Sequence, residues 1–377
     1  MKNIRTFICI LAGLFFMLSK PANAQESIKI ALLSGFSGVA SIPSYHLLHT
    51  AMMETDELNA HGGIHGKPIE LVILDDESNP IKTVELTRDP RLQDAVGVIG
   101  FPWSQFILAA GAELQKLKIP SISILATHDH AMEIGDYLFR VCFSNNYQGK
   151  KLAEYAFKKV RVRNAILFVD YQNSYSVDLA KTIKKEFTKR GGKIVHEIGY
   201  IPQKGTDYFF NELKNIDKRT YDSVFIPDDQ VYVMPIMDAF IKIGATDKIY
   251  FGGDGWNMAN IQIKNTQLDN FQIHVVGHWN NDNPNQQNKM FIKKFQSLYR
   301  TEPQDASALS HDALYILVEA IKKVPSLDKI LIKQRLLQTN YNGLTGKIQF
   351  AKDGDPIHKP IVIHKVYKGK RESIVYQ

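Results

Sequence analysis

Cysteine is nearly missing from this chain: its 377 residues include two, Cys9 and Cys142. Cys9 lies inside an apolar run near the N-terminus, behind the bulky Ile8, which is not the setting of a lipoprotein site. Loss of that run would leave Cys142 alone, so no intramolecular disulfide could form. A chain of this size has core enough to do without one. Cys142, between Val141 and Phe143, reads as a buried strand residue. Past the N-terminus no apolar segment approaches the length of a membrane helix. Basic runs interleaved with aromatics are also absent. The formal net charge is only +7, and Lys2, Arg5 and Lys20 of that excess fall in the first 24 residues, so nucleic acid is disfavoured as a partner.

Several reaction signatures are missing too. There is no Gly-x-Ser-x-Gly elbow, so a hydrolase of that kind lacks its nucleophile. Gly252-Gly253-Asp254-Gly255 has the wrong glycine spacing for a dinucleotide fingerprint. His128-Asp129-His130, His61 and His65 have no companion cluster at metal-ligand spacing. Asp75-Asp76-Glu77 lacks the alternating acids of a calcium loop. The expectation is a protein with no cofactor, no metal and no catalytic residue.

What is present begins with an export signal. Lys2 and Arg5 precede an apolar run from Phe7 to Leu18, and Ala22-Asn23-Ala24 puts small residues at −3 and −1 of a cleavage site. The predicted leader is residues 1–24 and the predicted location the periplasm.

The rest alternates. Short apolar runs at Ile28–Leu33, Ile69–Leu74, Ala95–Ile99, Ser121–Leu125 and Tyr137–Phe143 are separated by stretches of helical period over 44–59, 81–93 and 105–117. His61-Gly62-Gly63 closes the first helix, because glycine accepts the left-handed cap. A second set of strands, at Ala165–Val169, Ile194–Tyr200, Ser223–Ile226 and Lys248–Gly252, alternates with helices over 149–159, 177–190, 208–216 and 233–243. Strand–helix alternation builds parallel sheets with right-handed crossovers. Two successive sets predict two similar α/β lobes. After residue 270 the pattern changes to a strand at Phe271–Trp279, two helices over 288–299 and 307–323, and a strand-like end at Pro360–Tyr367.

In open parallel sheets ligands bind beyond the carboxyl ends of the strands. The third strand ends in Gly100-Phe101-Pro102-Trp103-Ser104, where Ser104 is a candidate N-cap and the helix start suits an anion. The fourth ends in Ala126-Thr127. In the second set the ends are Asp170 to Tyr175, Pro227-Asp228-Asp229-Gln230, and Gly253-Asp254-Gly255-Trp256. One lobe thus offers Ser104 and Thr127 to a carboxylate, and the other offers Asp254 to an ammonium. Tyr175, Trp103 and Trp256 can wall the space between. The pattern describes a site for a zwitterion.

With these residues in place, the order of motifs resembles the exported substrate-binding proteins of the branched-chain amino acid type that serve ATP-driven (ABC) importers. The likeness is carried by Asn59 to Pro68, Leu74 to Pro80, Gly252 to Trp256, and Gly343 to Phe350 with Asp353-Gly354-Asp355. It runs from about Ile28 to Lys368. The resemblance implies the type I periplasmic-binding-protein fold, an α/β architecture of two Rossmann-like lobes joined by a three-crossing hinge. One lobe would comprise residues 26–146 and 277–350, the other 147–276 and 351–377. It further implies a small amino-acid-like ligand in the cleft, an inner-membrane ABC permease as partner, and ligand contacts at Ser104, Ala126, Thr127, Tyr175 and Asp254, with Tyr45 as a further wall. A periplasmic sensor with the same fold is the alternative. The chain departs from the family pattern at Trp103, at Leu125 to His130, and at Asp229-Gln230, which stand where an aromatic is often found. These departures bear on which side chain the ligand carries.

Overall fold

The computed structural model describes residues 26–201, 205–256, 270–357, 359–368 and 370–376, except for the side chains of 230 and 231. The leader, and Asn257 and Met258 beyond the Gly-Asp-Gly-Trp turn, lie outside them.

The first sheet has five strands, β1 Ile28–Ser34, β2 Ile69–Asp75, β3 Gly97–Gly100, β4 Ser121–Ser123 and β5 Leu138–Arg140. They run parallel in the order β2-β1-β3-β4-β5. β1 shows why its sequence is nearly all apolar. Ile28, Ile30 and Leu32 enter one core cluster and Ala31 and Leu33 another, so both faces are covered, as a parallel sheet requires. Helices α1 Ser41–Ala60, α2 Pro80–Leu86, α3 Pro90–Gln93 and α4 Ser104–Leu117 belong to this lobe. The helix expected over 81–93 is split into α2 and α3. Pro90 has no N–H and disfavours helical backbone at Asp89, whose side chain instead caps Arg91 N. At the end of α1, Gly62 and Gly63 take φ of 94° and 66°, the left-handed turn expected of His61-Gly62-Gly63.

The chain then leaves for a second sheet. Helix α5 Asn145–Tyr155 opens that lobe, followed by β6 Asn164–Asp170, α6 Ser174–Lys189, β7 Lys193–Tyr200, α7 Thr206–Leu213, β8 Ser223–Ile226, α8 Gln230–Lys242, β9 Ile249–Gly252 and β10 Gln272–Gly277. β7, β6, β8, β9 and β10 are parallel in that spatial order. Alternate residues of β6 again feed opposite clusters: Ile166 and Phe168 on one face, Ala165, Leu167 and Val169 on the other.

After β10 the chain returns to the first lobe with helices Gln286–Tyr299, Asp305–Lys322 and Lys329–Leu336, and a hairpin of β11 Tyr341–Gly343 and β12 Gly346–Ile348. Leu309, Leu314 and Leu317 of Asp305–Lys322 join Leu47 and Ala51 of α1 in one core cluster. It crosses once more to add β13 Ile361–Tyr367, antiparallel on β10, and β14 Lys370–Tyr376. The protein is therefore two α/β lobes with parallel sheets and three connections between them. Helix Lys329–Leu336 and β14 have no counterpart in the sequence reading. Cys142 is buried, as expected, but lies just past β5 rather than in it. Burial pushes its thiol up to about 12, so it is an inert core residue.

Candidate functional site

The loops at the carboxyl ends of the strands enclose a cavity of about 310 Å³, within the range of small-molecule sites. Trp103, Ser104 and Thr127 line it from the first lobe, and Tyr175 and Asp254 from the second. Five of the eight expected contact residues, far apart in sequence, thus share one space.

The first-lobe wall is built where β3 meets α4. Gly100 is required there, since a Cβ would lie 1.9 Å from Leu33 O. Ser104 is not the N-cap. Trp103 occupies that position with extended backbone, and no side chain caps the helix. An indole cannot accept from the first-turn N–H groups, so α4 begins with Ser104 and Gln105 opening onto the cavity. The Ser104 hydroxyl oxygen accepts from His128 N at 3.1 Å, which ties this helix start to the loop after β4 and leaves the hydroxyl proton to donate. Thr127 is buried, and its Oγ1 has no hydrogen-bond partner among the described residues. A buried hydroxyl without a partner costs stability, and Thr127 lies in the cavity wall. Thr127→Val should therefore leave the melting temperature unchanged or raise it, while weakening the ligand about tenfold. Paired melting and calorimetry measurements check both halves.

On the second lobe, the Asn173 side chain caps α6 by accepting from Tyr175 N at 3.0 Å. Tyr175 is then held beside Asp254 with its hydroxyl accepting from Gly255 N at 3.0 Å. Burial pushes this phenol well above its ordinary pKa, so it is a neutral donor. Asp254 Oδ1 accepts from Gln148 Nε2 at 2.7 Å, and Oδ2 accepts from His278 Nε2 at 2.9 Å. His278 is fully buried, stacks on Phe143 at 3.8 Å between ring centres, and has no described partner for Nδ1. Phe143 precedes α5 and His278 follows β10, so two of the three interlobe connections meet at the side chain that pairs with Asp254. Gln148 and His278 were invisible in sequence, standing 106 and 24 residues from Asp254. No spacing rule links them.

Three expected contact residues are not among those lining the cavity. Trp256 is fully buried in the second-lobe core, its Nε1 donating to Ile226 O at 2.7 Å. The turn Asp254–Trp256 is a 3₁₀ segment, in which residues two apart point in different directions. Ala126 is fully buried with both backbone groups used: its N–H donates to Ser123 Oγ at 3.0 Å and its carbonyl accepts from Arg140 at 3.2 Å. Tyr45 is exposed and packs on His49, with ring centres 3.8 Å apart. Ile42 and Pro43, nearer the start of α1, face the cavity in its place.

The lining also includes Asp170 at the end of β6 and Asp229 before α8. The strand-end rule had marked both loops without assigning these acids a role. Asp228, beside Asp229, is buried and bonded to the Tyr200 hydroxyl. Burial pushes its carboxyl up to about 7. A carboxyl whose pKa is higher folded than unfolded contributes stability that is complete at low pH and lost as pH rises through the folded value. Wild type should thus lose stability relative to Asp228→Asn between about pH 4 and pH 8, by a few kcal/mol. Denaturant titrations of both proteins across that range measure the difference, which removes opposing contributions such as the buried His46 and His274.

Two parallel-sheet lobes around a cavity between strand ends define the two-lobed solute-binding proteins. The chain belongs to the periplasmic binding protein family, whose model matches residues 27–370. Among curated proteins it is similar to "Leu/Ile/Val-binding protein homolog 1" of Brucella suis, 24% identical over 323 residues and 83% of each chain. It is also similar to the "Leucine-, isoleucine-, valine-, threonine-, and alanine-binding protein" of Pseudomonas aeruginosa, 21% identical over 352 residues, 92% of this chain and 91% of the other. Among solved structures it superimposes on the branched-chain amino acid transporter substrate binding protein LivJ from Streptococcus pneumoniae in complex with isoleucine. The TM-score is 0.83, with 26% identity, covering 93% of this chain and 99% of that one. The fold is that of the type I periplasmic binding proteins of the branched-chain amino acid group.

Proposed function

We propose that this protein is the exported solute receptor of an ABC importer and binds an amino acid or close analogue between its lobes. The observation that carries the reading is convergence. The open start of α4 and the hydroxyls of Ser104 and Thr127 reach the cavity from one lobe, and Asp254 with Tyr175 from the other. Donors on one side suit a carboxylate, and an acid on the other suits an ammonium. The family and the names of its relatives support transport of amino acids. The lobes, 26–146 with 277–350 and 147–276 with 351–377, close over the solute by rotation about their three connections. The solute leaves unchanged, delivered to an inner-membrane permease, and cleavage after Ala24 releases the receptor into the periplasm.

A thermal-shift screen of amino acids, amides, aromatic acids and polyols tests this reading. A bound solute raises the melting temperature in proportion to the logarithm of its concentration above the dissociation constant. At least one amino acid should do so and be recovered intact. A screen in which only polyols shift the transition, or in which the solute is converted to product, would remove the assignment.

A further inference from the structure

Three carboxyl side chains line the cavity, those of Asp170, Asp229 and Asp254, and no lysine, arginine or histidine is among the lining residues described. One carboxylate is enough for the α-amine of an amino acid. Asp254 has His278, Gln148 and Tyr175 around it to hold it in that role. The other two acids have no such support. Asp170 is fully buried at the end of β6; its Oδ1 accepts from Gln172 N at 2.9 Å, while Oδ2 has no hydrogen-bond partner among the described residues. Asp229 Oδ2 accepts from Asn173 Nδ2 at 2.9 Å, a donor that also lies 3.1 Å from Asp228 Oδ1. One amide thus serves two acids. Among the described residues, no lysine or arginine forms an ion pair with Asp170, Asp228 or Asp229.

Carboxyl groups gathered out of water without a counter-charge are costly. Burial, together with the neighbouring acids, drives the Asp229 carboxyl far above its ordinary range. The aliphatic lining, by contrast, comes from the first lobe, from Val39, Ile42, Pro43, Pro102 and Leu125 beside the indole of Trp103, while the second lobe adds only the rings of Tyr175 and Tyr232. A branched aliphatic side chain reaching the second lobe would bury methyl groups against Asp170 and Asp229 and leave the free oxygen of Asp170 unsatisfied. A methylene stem ending in a cation fits both walls, because such side chains lay their stems on apolar surface and extend the charged end to polar groups.

Resting on the receptor reading above, we infer that the solute is an amino acid whose side chain ends in an ammonium or guanidinium. Asp170 and Asp229 take that cation while Asp254 takes the α-amine. The side-chain specificity of this receptor is set by the loops after β6 and β8, the second of which carries the departure from the family pattern at Asp229-Gln230.

Calorimetry with lysine, arginine, ornithine, glutamine, leucine, isoleucine and valine tests the inference on wild type and on Asp170→Asn and Asp229→Asn. At least one basic amino acid should bind wild type tenfold or more tightly than leucine and glutamine. Each variant should lower that basic-to-neutral ratio tenfold or more, with a melting temperature in the absence of solute that holds or rises, showing that it folds. Leucine, isoleucine or valine binding as tightly as the best basic amino acid would overturn the inference and leave the receptor reading standing. So would a basic-to-neutral ratio unchanged in both variants. Wild type that binds none of the seven would overturn the inference, and the receptor reading falls with it if no other amino acid or amide shifts the melting temperature.

Discussion

Replacing Asp254 with alanine should weaken an amino-acid ligand by about 3–5 kcal/mol, roughly two to four orders of magnitude in dissociation constant. The ligand's ammonium would be left in a closed cleft without its counter-charge, and the penalty is that of an unpaired buried ion rather than of one lost hydrogen bond. The same substitution strips acceptors from Gln148 and from His278, whose Nδ1 already has no described partner. Asp254→Asn keeps the side chain's shape and separates the two effects. It should retain most of the melting temperature yet still lose the greater part of the affinity. Calorimetry on both variants settles the point: a dissociation constant within threefold of wild type would remove Asp254 from amine recognition.

Breaking the Arg140–Asp355 pair should have the largest effect on stability. Arg140 is fully buried at the end of β5. Its guanidinium makes a two-pronged contact with the Asp355 carboxylate, Nη2 to Oδ2 at 2.8 Å and Nε to Oδ1, and its Nη1 donates to His128 O at 2.8 Å and Ala126 O at 3.2 Å. Asp355 lies between β12 and β13, so the pair fastens the third interlobe connection to the loop that carries Thr127. The partners are unequal, because Asp355 is 32% exposed and Arg140 not at all. Removing Asp355 strands a buried guanidinium, whereas removing Arg140 leaves a carboxylate that water can reach. Asp355→Ala should thus cost about 3–5 kcal/mol and Arg140→Met distinctly less. Arg140→Met should also weaken the ligand, because residues 126–128 lose two of their tethers. Denaturant unfolding of the two variants tests the order. Equal or reversed costs would show that the pair does not carry the buried charge in this way.

Much of the cavity lining could be read from strand ends. Ser104, Thr127, Tyr175 and Asp254 each follow a strand, and the parallel topology brings such positions to one rim. The three expected residues that do not line the cavity are displaced for local reasons. Trp256 sits two residues from Asp254, a spacing that predicts a wall, but a 3₁₀ turn sends it into the core beneath. Ala126, an expected contact, has its N–H bonded to Ser123 Oγ and its carbonyl to Arg140. Tyr45 lies on the right helix a few residues past the cavity, where each residue advances about 1.5 Å. His278 and Gln148 could not be found at all, since nothing in their own surroundings marks them as partners of an acid.

The sequence alone determined the elements and their alternation, because apolar period and glycine punctuation act over a few residues and need no partner. From these the two lobes and the rim followed. Only the tertiary structure decided which side chains meet across that rim. Burial and hydrogen bonding at Asp254, Arg140 and Asp170 depend on groups up to 215 residues away, and their energies come from water excluded by the whole fold rather than by any segment of it.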